Sequence, residues 1–180
     1  MHIENFAFLS PKGTRRKVNL GVSRDPYAGN YQVQNDGGPT GLEWTFDGAT
    51  VVKDFPCTIA AYPSPDMCCV VVATYGLSNY PSPHNALVLN ADGTIRHPLR
   101  QPARYAGQNT EFLDAWWYER TSPSQPPPWW AFWRKREDPA KETRMKLLIG
   151  WVGDPCQTFE ALDFDPETGE FGELVDSGRL

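Results

Sequence analysis

Alternation of apolar and polar residues with period two recurs along the first third of the chain. Val18-Asn19-Leu20-Gly21-Val22 and Leu42-Glu43-Trp44-Thr45-Phe46 both place an apolar side chain at every second position. That spacing puts them on one face of a half-buried strand. Ile3 to Leu9 is apolar enough for an earlier strand, and Pro11-Lys12-Gly13 ends it. Two later stretches, Met67 to Thr74 and Lys146 to Val152, are apolar without alternation. Short continuous runs of this kind, rich in β-branched residues, fit central strands buried on both faces. Phe112 to Tyr118 and Thr158 to Phe164 add further strand candidates.

Turn residues separate these runs. Asp47-Gly48 joins Leu42–Phe46 to Ala49–Val52, and two-residue Asp-Gly loops favour the type I′ hairpin turn. Ala86–Asn90 reverses at Asp92-Gly93 into Thr94–Leu99. Glu160–Asp165 reverses through Pro166-Glu167-Thr168-Gly169 into Glu170-Phe171. About ten to twelve short strands with turns between them predict a mainly β chain: an antiparallel sandwich, an open barrel or propeller-like blades built of consecutive hairpins. Helix is scarce. Asp138-Pro139 is a local N-cap signal and predicts two or three helical turns, ending about Arg144. A short helix after Gln108-Asn109 is a second candidate. Pro56, Pro63 and Pro65 read as breaks.

Composition narrows the class. The chain has 180 residues, 40 % of them hydrophobic, with seven Trp, enough apolar mass for one core. We expect a single β-rich domain over 1–180 with an insertion at 121–136. No apolar run approaches the ~20 residues that span a bilayer. Met1-His2-Ile3-Glu4-Asn5 lacks the basic flank and apolar stretch of a signal peptide, so a cytoplasmic location is expected. Cys57, Cys68, Cys69 and Cys156 show no CxxC spacing and read as small packing residues rather than a zinc site. Net charge is −5 and uneven. Residues 1–24 carry five cations against Glu4, and residues 151–180 carry eight carboxylates against Arg179. The acidic end either keeps a sheet edge soluble or complements a basic partner.

Catalytic and metal motifs are missing. The chain has no GxSxG, HExxH, P-loop or dinucleotide-binding glycine pattern, and each of those marks a definite chemistry. We therefore expect no cofactor and no metal. Asp163-x-Asp165-x-Glu167 resembles the start of a calcium loop, but the sixth position is Thr168 and the twelfth Leu174, where an EF-hand needs Gly and Glu. The pattern reads as a turn. Asp163 and Asp165 share a strand face and, with His84 or His97, are the residues an unrecognised enzyme site would use.

One segment fits no hairpin. Thr121 to Arg136 contains Pro126-Pro127-Pro128, then Trp129, Trp130, Phe132 and Trp133, then Arg134-Lys135-Arg136. A long Pro-rich connection in a compact domain is functional or unstructured. It can fold back as an aromatic plug, reach out as a partner-binding arm, or meet a membrane or nucleic acid. The net negative charge speaks against the last. Trp and Arg dominate binding hot spots, so Trp129, Trp130, Phe132, Trp133, Arg134 and Arg136, together with Asp163, Asp165 and Glu167, are the candidate partner-binding residues.

Asn85-Ala86-Leu87-Val88-Leu89-Asn90-Ala91-Asp92-Gly93-Thr94-Ile95 and Asp163-Phe164-Asp165-Pro166-Glu167-Thr168-Gly169 resemble a pattern in small β-rich bacterial proteins. In these a strand carrying Asn leads to an Asp-Gly turn, and a later strand ends in D-x-D-P-E-T-G. Members are often immunity proteins of toxin systems and otherwise have no known role. The resemblance spans Cys68 to Glu173, about half the chain, the insertion at 121–136 departs from it, and no binding residue is carried over. It implies a non-catalytic protein-binding module, a cytoplasmic immunity protein that binds and neutralises a cognate toxin, with neither nucleic acid nor membrane as partner. The alternatives are an accessory component of a larger assembly, or an enzyme with an unrecognised site.

Overall fold

The computed structural model describes residues 2–18, 20, 37–76, 79–121, 141–154 and 158–179. Among them, strands run in chain order as β1 (Glu4–Leu9), β2 (Arg15–Lys17), β3 (Gly41–Phe46), β4 (Ala49–Asp54), β5 (Thr58–Pro63), β6 (Cys69–Tyr75), β7 (Ala86–Asn90), β8 (Ile95–Pro98), β9 (Thr110–Thr121), β10 (Lys141–Trp151), β11 (Thr158–Asp165) and β12 (Glu170–Arg179). Among the described residues a single 3-10 turn covers Ala103–Tyr105. The strands form three four-stranded antiparallel sheets, ordered β2-β1-β3-β4, β5-β6-β7-β8 and β12-β11-β10-β9, and no barrel closes. The mainly β architecture of consecutive hairpins that the turn residues predict is the one found.

Local chemistry accounts for most of these elements. Asp47 and Gly48 have φ of 52° and 76°, the double positive φ of a type I′ turn. The apolar runs at β6 and β10 are central strands, as expected. Elsewhere the structure departs from the sequence reading. β5 lies across the stretch read as proline breaks, but it is an edge strand and Pro63 closes it, where a missing N–H donor costs least. The helix expected over 138–144 is strand from Lys141 on, because β10 pairs with β9 from Lys141↔Thr121 to Trp151↔Thr110; residues 138–140 lie outside the described residues. Cross-strand pairing along that whole length overrides one local cap signal. No helix follows Asn109, since β9 begins at Thr110. Of the strand expected at 18–22, Asn19, Gly21 and Val22 lie outside the described residues; β2 covers Arg15–Lys17, and Val18 N–H bonds Phe6 O at 3.0 Å.

One buried cluster draws on all three sheets. It includes Phe6, Phe8, Leu42 and Trp44 from the first, Val70–Val72 and Leu87–Leu89 from the second, and Phe112, Leu147, Leu162 and Phe164 from the third. Polar side chains bridge the sheets within it and at its rim. Trp44 Nε1–H donates to Ala91 O at 2.6 Å, tying the first sheet to the β7–β8 turn. Asn85, 1 % exposed, donates from Nδ2 to Thr74 O and Phe112 O, both at 2.9 Å, and accepts Phe112 N–H at 2.8 Å. Trp117 Nε1–H donates to Pro63 O at 2.7 Å. The turn glycines complete the contacts. A Cβ on Gly93 would lie 2.7 Å from Val51 Cγ1, and one on Gly169 2.7 Å from His97 Nε2. Each hairpin tip therefore packs against the neighbouring sheet.

Replacing Asn85 by Ala leaves three backbone groups of β6 and β9 without partners in the core. Each buried orphan costs on the order of 1–3 kcal/mol, so Asn85→Ala is expected to lower the urea unfolding free energy by about 3 kcal/mol. Asn85→Asp should fare no better, because it keeps the acceptor and loses both donors. An unfolding midpoint unchanged by Asn85→Ala would refute the bridging role.

Candidate functional site

The third sheet has two dissimilar faces. Phe112, Ala115, Met145, Leu147, Ile149, Leu162 and Phe164 enter the main core. The opposite face follows from the register, in which Lys146 lies opposite both Trp116 and Asp163, and Arg144 opposite Tyr118. It carries a small apolar cluster, Leu148, Phe159 and Ala161, with Leu113, Trp116 and Val175 packed on it. Beside that cluster runs a ladder of charge pairs.

Asp163 is the centre of the ladder and is 4 % exposed. Its Oδ1 accepts the Tyr118 hydroxyl at 2.7 Å and Arg144 Nε at 3.1 Å. Its Oδ2 lies 3.0 Å from Arg144 Nη2 and 3.6 Å from Arg120 Nη1. Arg120 continues the ladder to Glu173 at 2.7 Å. Lys146, 8 % exposed, reaches Asp176 at 2.8 Å and sits 5.2 Å above the Trp116 ring. Buried charges persist only when paired and bonded in this way. Burial pushes the Tyr118 phenol up, and its hydrogen bond to Asp163 and that carboxylate's charge add to the shift. Gly172 of β12 lies against the pair: a Cβ there would stand 3.0 Å from Asp163 Oδ2.

A cleft of about 250 Å³ opens at the end of this face, between the third sheet and the β5–β6 turn. Asp66, Arg96, Glu142, Arg144, Asp165 and Glu167 supply its charges. Burial raises the Asp66 carboxyl, but hydrogen bonds from Ser64 and Cys68 outweigh it and hold the group below its ordinary value. Asp165 Oδ1 accepts the amides of Glu167 at 2.8 Å and Thr168 at 3.4 Å, a turn cap. Glu167 is exposed.

The three acidic candidates thus divide: Asp163 is buried and paired, Asp165 caps the turn, and Glu167 borders the cleft. Trp129, Trp130, Phe132, Trp133, Arg134 and Arg136 lie outside the described residues, between the paired ends Thr121 and Lys141 of β9 and β10. His84 Nδ1 accepts the Gln101 amide at 3.2 Å. His97 packs on Gly169 with its Nε2 unbonded, and burial followed by the Arg96 charge lowers its pKa. Among the described residues, no group of three or more His, Cys, Asp or Glu is arranged to hold a metal ion. Sequence reasoning missed Trp116, Tyr118, Arg120, Arg144 and Lys146. Their signal is phase: they occupy alternate positions opposite the core-facing residues of the same strands.

No family model and no curated protein sequence matches the chain. Among solved structures, the chain is similar to one from the structure of Tne2 in complex with Tni2, with a TM-score of 0.58 and 14 % identity over 99 % of both chains. At that identity the likeness concerns the fold.

Two outcomes follow from the geometry. The native Tyr118 phenol holds its proton above the unfolded value of 10.0, so its stabilising share is complete below pH 10 and fades as pH rises through the higher native value. Tyr118→Phe should cost about 1 kcal/mol at neutral pH and flatten the loss of stability above pH 10 in urea titrations. An unaltered alkaline slope would count against the pairing. Gly172→Ala presses a methyl on a carboxylate that two guanidinium groups and a phenol hold in place, and is expected to destabilise by about 1–2 kcal/mol.

Proposed function

We propose that this chain is a non-catalytic protein-binding module of the immunity type, which binds and neutralises a cognate toxin in the cytoplasm. The observation that supports it is the end-to-end fold likeness to a chain solved in the structure of Tne2 in complex with Tni2, a complex of one protein with another. The resemblance of the Asn85–Ile95 and Asp163–Gly169 elements to immunity-type proteins points the same way.

On this reading the outward face of the third sheet and its cleft form the binding surface. Its side chains are already held by Asp163 and Asp176, so little rotamer freedom is lost when a partner docks. Trp116, Tyr118 and Arg144 are the residue types enriched at interface centres. Glu167 and Glu170, exposed at the tip of the β11–β12 hairpin, steer a basic partner toward it. Trp129, Trp130, Phe132 and Trp133, in the connection between β9 and β10, are further partner contacts on this reading.

Co-expression with the product of each neighbouring gene is the direct test. The expected result is a stable complex with one of them and relief of that product's toxicity. Failure to bind or protect against any neighbour ends this reading. Given the complex, reversing both Glu167 and Glu170 to Lys should slow association about tenfold at low salt and leave dissociation nearly unchanged, as read by surface plasmon resonance.

A further inference from the structure

An uncovered sheet edge presents unpaired N–H and C=O groups to any other strand, and native chains blunt such edges with charge, proline, bulges or cover. Three open sheets leave β2, β4, β5, β8, β9 and β12 as outer strands. Five are blunted. β2 is three residues long and wholly basic. β5 ends in Pro63 and packs beside β9, which β5 and β6 cover in turn. β8 is four residues, ends in Pro98, and has His97 against the Gly169 turn. β12 carries Glu170, Glu173 and Asp176, shifts register twice against β11, and has the Ser177 N–H taken by Asp176 Oδ1 at 2.9 Å.

β4 is neither short nor bulged nor closed by proline, and its two charges, Lys53 and Asp54, stand at its last two positions. Its residues Ala-Thr-Val-Val-Lys-Asp pair with β3 in unbroken register, from Gly41↔Asp54 to Phe46↔Ala49. Thr50, Val52 and Asp54 are exposed, Val52 by 49 %. The side chains of Val51 and Lys53 are tucked against the Gly93 turn, so among the described residues the strand is supported on one face and open along its edge.

We propose that β4 is a docking edge for a second copy of this chain, the two β4 strands pairing antiparallel about a twofold axis. Complementarity selects that occupant. An axis through Val52 sets Val52 opposite itself, Val51 opposite Lys53 and Thr50 opposite Asp54, each pair on one face of the joined sheet. β-branched residues meet at the centre and no like charges oppose each other. The same operation on β12, centred at Glu173, sets Glu170 opposite Asp176 and Glu173 opposite itself. Continuing the β4 register brings the partner's Gly48 and Ala49 to Pro56 and Phe55. Those two residues border a cleft of about 210 Å³ lined by Tyr80, Leu87, Leu89 and the half-exposed Ile95. The cleft adds apolar area to what is otherwise a small interface, and interfaces under about 1,200 Å² associate weakly.

Analytical ultracentrifugation of the full chain, at concentrations reaching about 0.5 mM, reads the equilibrium without any toxin. A failure here therefore leaves the immunity reading untouched. The expected result is reversible dimerisation that Val52→Lys weakens about tenfold or more; Glu170→Lys on β12 should not change it. Amide exchange should slow at residues 49–54 as concentration rises. A monomer at every concentration overturns the proposal. So does a dimer indifferent to Val52→Lys, protection gained at β12, or protection of β4 that requires a different protein.

Discussion

Three separate sheets can share a core only if the backbone at their junctions finds partners inside it, and Asn85 meets that requirement. Its amide takes the place of a strand, joining the end of β6 to β9 through three hydrogen bonds at 1 % exposure. Backbone groups left unpaired in that position would cost more than a typical side-chain contact returns. Trp44 and Trp117 do the same with indole N–H groups. These bonds are directional where apolar packing is not, so they set how the sheets meet, while the cluster around Val71 and Leu147 supplies the driving force.

The outward face of the third sheet depends on this arrangement. With Phe112 locked by Asn85 and Trp117 by Pro63, β9 is held on both its backbone and its core side. The alternate residues Trp116, Tyr118 and Arg120 are then presented outward from a fixed strand. Arg144 and Arg120 converge on Asp163, and Lys146 is held between Asp176 and Trp116. Surface ion pairs contribute little to stability when mobile and solvated. This ladder differs because Asp163 and Lys146 are buried, and removing one partner leaves a charge with no water around it.

Fold class was legible because it rests on local rules. Asp47-Gly48 needs positive φ, and Met67–Thr74 has no polar face to show solvent. β5 was not legible, since three prolines mask a strand whose edge position only the assembled sheet reveals. Lys141–Arg144 was misread for the complementary reason: Asp138-Pro139 is a sound cap signal, but the competing pairing partner, Tyr118–Thr121, lies 20 or more residues away in sequence. The same long-range pairing assembles the Asp163 ladder from β9, β10 and β11. The acidic residue was visible beforehand, but the two arginines and the phenol that hold it were not, since their meeting is a matter of register.

Carboxylates in the last hairpin serve two physical roles, and ion pairing separates them. Asp163, Asp176 and Glu173 are matched by Arg144, Lys146 and Arg120, so their charge is consumed within the fold. Asp176 also occupies the Ser177 amide, which closes part of an edge that would otherwise accept a strand. Glu167 and Glu170, at the exposed tip, form no ion pair among the described residues and carry the field that reaches solvent. An acidic terminus counted as a single block overstates the charge available to a partner. Sorted by contact, most of it holds β12 in place and forbids that strand from pairing with itself, and only the tip is left to attract.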